Sequence, residues 1–372
     1  MPESFKTYQL IHNGDIVFRL TDLQNDKRSL RTAIVPESGI ITFAYVAFEP
    51  TGILPAYLNY LLRDYDLRKL FYSMGGGVRQ SMKFDDIKRL PTLVPSKSEQ
   101  SSIVKFLDHE TAKIDALIEE QRRLIELLKE KRQAVISHAV TKGLNPNVPM
   151  KDSDVSWIGE VPAWWSVVPV GYRYEVQLEK MLDTLKITGD KLAPYLRVVD
   201  VQWDKVNVDD LPLMDFDDEA RTKFRLRPGD LLVNEGGSYP GRCAIWSFEL
   251  ECYYQKALHR LRPRTPKEDV PRFFFYLMFW AASIGVFVAG RNEPTIEHLP
   301  AERLRLYRFA FPPIAEQITI ANFLDAETER FGHLVLEAQA AVDLLQERRS
   351  ALISAAVTGK IDVRNYTSKD AA

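Results

Sequence analysis

The strongest constraint on this chain is a stretch of about 43 residues that occurs twice. Glu99–Thr141 and Glu316–Thr358 align without a gap, and about twenty positions are identical, more than shared helix composition would produce. Phe106-Leu107-Asp108 falls on Phe323-Leu324-Asp325, and Ile136-Ser137 falls on Ile353-Ser354. In the first copy Ile103, Leu107, Ile114, Leu117, Leu124, Leu128 and Val135 recur at threes and fours, the spacing that keeps one apolar seam on one helix face. Ile118, Ile125 and Ile136 widen the stripe. Ile320, Leu324, Phe331, Leu334, Ala338, Ala341, Leu345 and Leu352 offer a matching seam in the second copy. Ser96 and Glu99 have capping-box spacing behind Pro95, and Gly143 and Pro146 mark the far end. About forty residues at 1.5 Å each make a rod near ~60 Å. A lone rod of this kind exposes its seam, so the two copies are expected to pair antiparallel within one chain. The alternative is that each pairs with another chain.

The duplication reaches beyond the helices. Arg227-Pro228-Gly229-Asp230-Leu231-Leu232 echoes Asn13-Gly14-Asp15-Ile16-Val17, and Pro271 to Leu277 overlies Pro55 to Leu61. In the first half the pattern predicts strands over Asp15–Arg19 and Gly39–Phe48, a helix from Pro55 to about Met74 stopped by Gly75-Gly76-Gly77, and a short strand region from Val78 to Val94. A Pro- and Asn-rich linker (145–150) leads to Trp157, Trp164 and Trp165, read as core anchors rather than stacking platforms. The next segment is mostly β, including Tyr195–Val201 and Ala244–Phe248, with helix from Pro271. Phe273 to Gly290 is apolar enough to raise a membrane question. Its counterpart, Tyr57 to Val78, carries Arg63, Asp64, Asp66, Arg68 and Lys69, so both are expected to be helices of a soluble domain. MPESFKTYQL has neither a basic start nor an apolar run, and no secretory signal is expected there. Cys243 and Cys252, with no metal-type spacing, read as free buried thiols of a cytoplasmic protein.

A net charge of -2 over 372 residues gives no global basic signal, so any nucleic-acid surface has to be local. From Arg221 to Arg264 nine Lys or Arg stand against four acids, with Tyr239, Tyr253, Tyr254 and Gln255 interleaved, a composition that suits phosphates and base edges. Loop position and residue type single out Ser238, Tyr239, Arg242, Lys256, Arg291 and Asn292 in the second half, and Lys27, Arg28, Arg31, Arg79 and Gln80 in the first, as DNA contacts. Gly236-Gly237-Ser238-Tyr239-Pro240-Gly241 reads as a tight hairpin, since no GxxxxGK[ST] accompanies it. The six histidines are scattered, and no HExxH, GxSxG or GxGxxG occurs. Catalytic, cofactor and metal residues are therefore not assigned.

PGDLLVNEGGSY (228–239), Pro312-Pro313 followed by Glu316-Gln317, the FLDxET of both helices, their RxAxISxAVT ends and SxVSWIGEVPAWW (153–165) together resemble the specificity subunit of type I restriction-modification systems. The resemblance covers nearly the whole chain. It implies an α+β fold: two β-rich target-recognition domains separated by a pair of long helices that form an antiparallel coiled-coil spacer. The divisions are a partial first recognition domain (1–95), a first spacer helix (96–143), a second recognition domain (144–311), a second spacer helix (312–360) and a tail (361–372). It further implies a non-catalytic, cytoplasmic reader of a bipartite site in double-stranded DNA. Methyltransferase (modification) subunits would dock on the helices, and motor-nuclease (restriction) subunits would join the full complex. S-adenosylmethionine, ATP and Mg²⁺ would belong to those partners, with no cofactor on this chain. One departure stands out: residues 150 to about 218 have no counterpart before Phe5, so the first recognition domain is expected to be shortened. A coiled-coil adaptor that docks methyltransferase subunits without reading a full site is the alternative function.

Overall fold

Each copy of the duplicated stretch is one uninterrupted helix, and the rest of the chain is arranged around the halves of these two helices. The computed structural model describes residues 8–21, 30–74, 81–178, 189–237, 239–288, 298–364 and 366. It divides into unit 1, Met1–Glu126 with Val335–Ala372, and unit 2, Leu127–Leu334, so each unit takes one half of each helix.

Unit 1 begins with β1 (Gln9–Ile11), β2 (Ile16–Arg19), β3 (Thr32–Ile34), β4 (Gly39–Ile41) and β5 (Tyr45–Phe48). β1 and β4 form a ribbon, and β3-β2-β5 form an antiparallel sheet. Helix α1 (Pro55–Leu67) starts on proline, whose absent N–H costs nothing in a first turn. It stops earlier than the expected Met74: Lys69 turns left-handed (φ 61°), and a 3₁₀ turn, Leu70–Ser73, follows. The triple glycine lies outside the described residues. The expected strand region of 78–94 holds a helical turn instead, α2 (Phe84–Ile87), because the Asp86 carboxylate accepts the Lys83 N–H (2.7 Å) and caps a first turn. Helix α3 (Lys97–Lys142) begins where the Ser96 hydroxyl accepts the Glu99 N–H, and ends at Gly143 (φ 75°).

Unit 2 continues with β6 (Met150–Asp152), β7 (Glu160–Pro162), β8 (Ser166–Pro169), α4 (Val170–Arg173), β9 (Tyr174–Leu178), β10 (Leu192–Leu196), β11 (Val201–Gln202), β12 (Lys205–Val206), β13 (Leu213–Asp215) and α5 (Asp218–Phe224). Then come β14 (Leu231–Asn234), β15 (Cys243–Ile245), β16 (Tyr253–Tyr254), β17 (Leu258–Pro263), α6 (Pro271–Ser283), α7 (Ala301–Leu306), β18 (Arg308–Phe311) and α8 (Ile314–Val357). The central sheet runs β15-β14-β17-β9, all antiparallel, and β18 pairs with β8. The apolar helix α6 is buried on nearly every turn, and among the described residues no helix is long and apolar enough to cross a membrane. Both cysteines are free and buried.

The buried line of the long helices differs from a heptad seam. Ile103, Ile114, Ile125 and Ile136 are all at most 7% exposed, as are Ile320, Phe331, Val342 and Ile353, the same positions of the second copy. Their eleven-residue spacing is 3.67 residues per turn, close enough to 3.6 that no left-handed supercoil is needed. Leu117 and Leu124, counted in the seam by the three-and-four rule, are 45% and 42% exposed. Pairing is antiparallel and intramolecular. In unit 1 Ile103 and Leu107 share a core with Ile353, Ala356 and Val357, and Arg349 donates to both oxygens of Asp115 (2.7 and 3.1 Å). In unit 2 Ile136 and Ala139 share a core with Ile320 and Leu324.

The same joint fastens α1 to α3 and α6 to α8. Gln100 accepts the Leu54 N–H and donates to Pro95 O (both 2.8 Å), and Gln317 accepts the Val270 N–H and donates to Pro312 O (both 2.9 Å). Tyr60 donates to Asp108 (2.7 Å) and Tyr276 to Asp325 (2.6 Å). Burial pushes both phenols up to about 12, so each remains a donor throughout the neutral range.

Of the three tryptophans, Trp165 is fully buried, Trp157 packs on Trp280 and Phe309, and Trp164 is half-exposed. The Trp164 and Trp165 indole N–H groups grip the two carboxylate oxygens of Glu316 in the first turn of α8 (2.9 and 3.2 Å). Gly143 sits against this clamp, and a Cβ there would lie 3.1 Å from Glu316 Oε1 and 3.4 Å from Trp165. With its left-handed φ as well, Gly143→Ala is expected to destabilise unit 2 by about 1–3 kcal/mol. Faster amide hydrogen exchange in the first turns of α8 would reveal it.

Candidate nucleic-acid interface

One end of the unit 2 sheet gathers four connections. The hairpin loop between β14 and β15 is held by Asn234 N–H to Arg242 O (2.8 Å) and Gly241 N–H to Asn234 O (2.9 Å), as expected for a hairpin rather than a phosphate cradle. Gly241 is left-handed (φ 84°), and a Cβ there would strike the Phe287 ring at 2.4 Å, so the loop seats on the segment after α6. The turn before β17, which carries Lys256, adjoins the loop through Glu235 N–H to Ala257 O (2.9 Å). Leu299 N–H bonds Glu235 O (2.6 Å), and Gly236 bridges His298. The β11–β12 hairpin closes the group through Asp204 N–H to Cys243 O (3.1 Å).

Arg242 is the centre of this cluster. Its guanidinium lies 4.3 Å over the Tyr239 ring and donates to Gln202 Oε1 (2.6 Å), while its buried Nε has no hydrogen-bond partner among the described residues. Tyr239 is 58% exposed and Lys256 is exposed. A fixed, planar donor fork beside an open aromatic face and an exposed cation can meet a base edge and a phosphate together. Gln202 escaped the sequence reading. Its signal was the Val201–Val206 alternation about Trp203-Asp204, a hairpin whose Asp204 takes φ 57°. Behind Tyr239, a cavity of about 410 Å³ is lined by Trp203, Pro240, Phe279 and Val288.

The other sequence candidates divide sharply. Ser238, Arg291, Asn292, Lys27, Arg28, Arg79 and Gln80 lie outside the described residues. Tyr253 and Tyr254, expected to interleave with surface cations, are interior: Tyr253 stacks on Phe216 at 4.1 Å and Tyr254 meets Phe224 edge-on. Arg31 is 1% exposed, donates to Thr21 O (2.7 Å) and lies over the Tyr72 ring. It is therefore corrected from a DNA contact to a scaffold residue, since a guanidinium so enclosed cannot reach a phosphate. Arg31 and Arg242 nevertheless occupy one position of the repeat. Arg19 N–H bonds Arg31 O as Asn234 N–H bonds Arg242 O, and Val35 and Trp246 each exchange the same pair of bonds with the Gly-Asp turn.

Among the described residues no group of His, Cys, Asp or Glu could hold a metal ion. His259, fully buried on β17 two residues after the Lys256 turn, contacts Leu299 O through Nε2 (2.7 Å). Burial holds its imidazole below the ordinary 6.5, so the neutral ring donates from Nε2. As pH falls through 6.5 the unfolded chain takes up a proton that the folded chain refuses, and stability is lost on acidification. The urea midpoint is expected to drop between about pH 7.5 and about pH 5.5, and His259→Asn is expected to reduce that drop.

No family model matches the sequence. A curated relative, the Type I restriction enzyme EcoBI specificity subunit of Escherichia coli, is 26% identical over 134 residues, which is 36% of this chain. The match spans 27% of that relative, about a quarter of its length. In fold, the chain is similar to one solved in a study of complex assembly and conformational transition of the type I R-M system (TM-score 0.68, 18% identity, 96% of this chain and 85% of that one). It is also similar to the HsdS subunit from Thermoanaerobacter tengcongensis (TM-score 0.53, 16% identity, 95% and 82%). The chain thus has the fold of type I specificity subunits over nearly its whole length and resembles one in sequence over about a third of it.

Proposed function

We propose that this chain is a DNA-reading specificity subunit that directs methyltransferase and restriction subunits of a type I restriction-modification complex to a bipartite site. The observation that carries the reading is the Arg242 cluster, a guanidinium braced by Gln202 and Tyr239 beside exposed Lys256 at the loop end of the sheet. The fold likeness and the EcoBI match support the same assignment. Unit 2 reads one half of the site. In unit 1 reading falls to Lys27, Arg28, Arg79 and Gln80, since Arg31 is interior. The chain itself carries out no catalysis and binds no cofactor. S-adenosylmethionine, ATP and Mg²⁺ act on the partner subunits in the cytoplasm. Exposed Leu117, Leu124, Leu336 and Leu344 on the long helices give the methyltransferase an apolar surface to cover.

Arg242→Ala and Lys256→Ala are each expected to weaken DNA binding. Lys256→Ala should do so evenly across sequences and lower the slope of log affinity against log salt by about one. Arg242→Ala should also relax preference at one base pair, by about 1–3 kcal/mol. Titrations at several salt concentrations check both, and unchanged affinity would sink the assignment. Mapping methylated bases in cells that express the chain with its methyltransferase reads the whole proposal: a bipartite motif is expected, a half motif would restrict reading to unit 2, and no motif would leave the adaptor.

A further inference from the structure

The β11–β12 hairpin, whose Gln202 accepts from Arg242, cannot set its own position. Its ladder joins only Val201 with Val206 and Gln202 with Lys205, and a ribbon that short is not stable alone in water. Contacts made by its turn hold it from outside. Asp204 N–H bonds Cys243 O (3.1 Å), the Trp203 ring meets Phe279 edge-on at 5.0 Å, and the Asp204 carboxylate accepts from Arg272 in the first turn of α6.

Arg272 serves two carboxylates at once. Nη1 and Nη2 donate to the two oxygens of Asp204 (2.8 Å from Nη2), and Nε donates to Asp325 Oδ1 of α8 (2.6 Å). The guanidinium lies over the Phe275 and Tyr276 rings, 4.7 and 5.0 Å from their centroids, which holds its plane. A series of charge-assisted bonds therefore runs from α8 through Asp325, Arg272 and Asp204 to the hairpin, and the hairpin hands it on from Gln202 to Arg242.

The repeat supplies a control. Arg272 overlies Ala56 of α1, where the joint to the long helix is made without an arginine: Tyr60 donates to Asp108 at 2.7 Å, as Tyr276 does to Asp325 at 2.6 Å. Fastening α6 to α8 thus does not require Arg272. Its ion pairs add little stability either, since the Asp204 and Asp325 side chains are 45% and 41% exposed and water screens such pairs. What the arginine adds is a fixed place for the hairpin.

We propose that Arg272, acting through Asp204, is a positioning residue for base reading: it sets the Gln202 acceptor that aims the Arg242 fork. The inference rests on the reading of Arg242 as a base contact. A bidentate bond to a base edge depends on where the fork points, because two N–H groups have to meet the base together. A phosphate contact carries no sequence information. Loss of Arg272 therefore lowers discrimination between bases and leaves sequence-independent binding as it was.

The test uses the full chain in complex with its methyltransferase, and two duplexes: one with the motif mapped by methylation, the other changed at the base pair whose preference Arg242→Ala relaxes. The ratio of the two affinities is read, because partial unfolding lowers both alike and cancels. Arg272→Ala and Asp204→Asn are each expected to cut the ratio by about threefold to tenfold. Asparagine accepts the left-handed turn at φ 57°, so the second variant keeps the hairpin while removing its charge. Neither change is expected to add to the loss in an Arg242→Ala background. If Arg242→Ala lowers the ratio and both variants leave it unchanged, the inference fails and the reading of Arg242 stands. A fully additive loss, or an equal fall in both affinities, also overturns it, since Arg272 would then act by another route. If Arg242→Ala relaxes no base pair, the reading falls and this inference with it.

Discussion

A buried apolar side chain at every eleventh position of two helices of 46 and 44 residues is the constraint on which the rest depends. Helices this long, with a stripe along one face, are stable in water only if the stripe is covered throughout. Antiparallel pairing covers it within each unit, and the outer flanks receive α1 and α6. These short helices are held by glutamines 100 and 317, whose side chains satisfy both the N–H of the residue that precedes the short helix (Leu54, Val270) and a proline carbonyl ahead of their own long helix (Pro95, Pro312). An amide side chain donates and accepts at once, which makes it suited to such a corner. From each corner a strand–loop–strand module is built outward.

Much of this was legible beforehand. The repeat showed in the residues themselves, and Pro55, Pro271, Ser96 and Gly143 marked boundaries because each imposes a local backbone state. The helical period was harder. Leucines at 117 and 124 obey threes and fours yet face outward, and only the recurrence of β-branched and aromatic residues at eleven separates the buried line from its neighbours. The α2 turn was misread because an apolar, β-prone stretch hid an Asp cap acting over three residues.

The candidate site was less legible, for a different reason. Composition reports which residues are cationic or aromatic and says nothing about which way a strand faces. Tyr253 and Tyr254 went to the core because β16 is short and enclosed on both faces, while Tyr239, of the same type, stands open at a hairpin tip. Gln202 entered through a contact about forty residues away in sequence. The weak sequence identity to specificity subunits, set beside the extensive fold likeness, fits a scaffold held by packing rules that many sequences meet.

Arg31 and Arg242 stand immediately before equivalent strands, β3 and β15, one turned into the protein and the other half-exposed at the rim. The address is set by the ladder. The same ladder position thus carries a buried guanidinium in one unit and a half-exposed one in the other, with the strand register alike in both. A strand register of this kind fixes where a side chain begins and leaves its environment to vary between the two copies of the repeat.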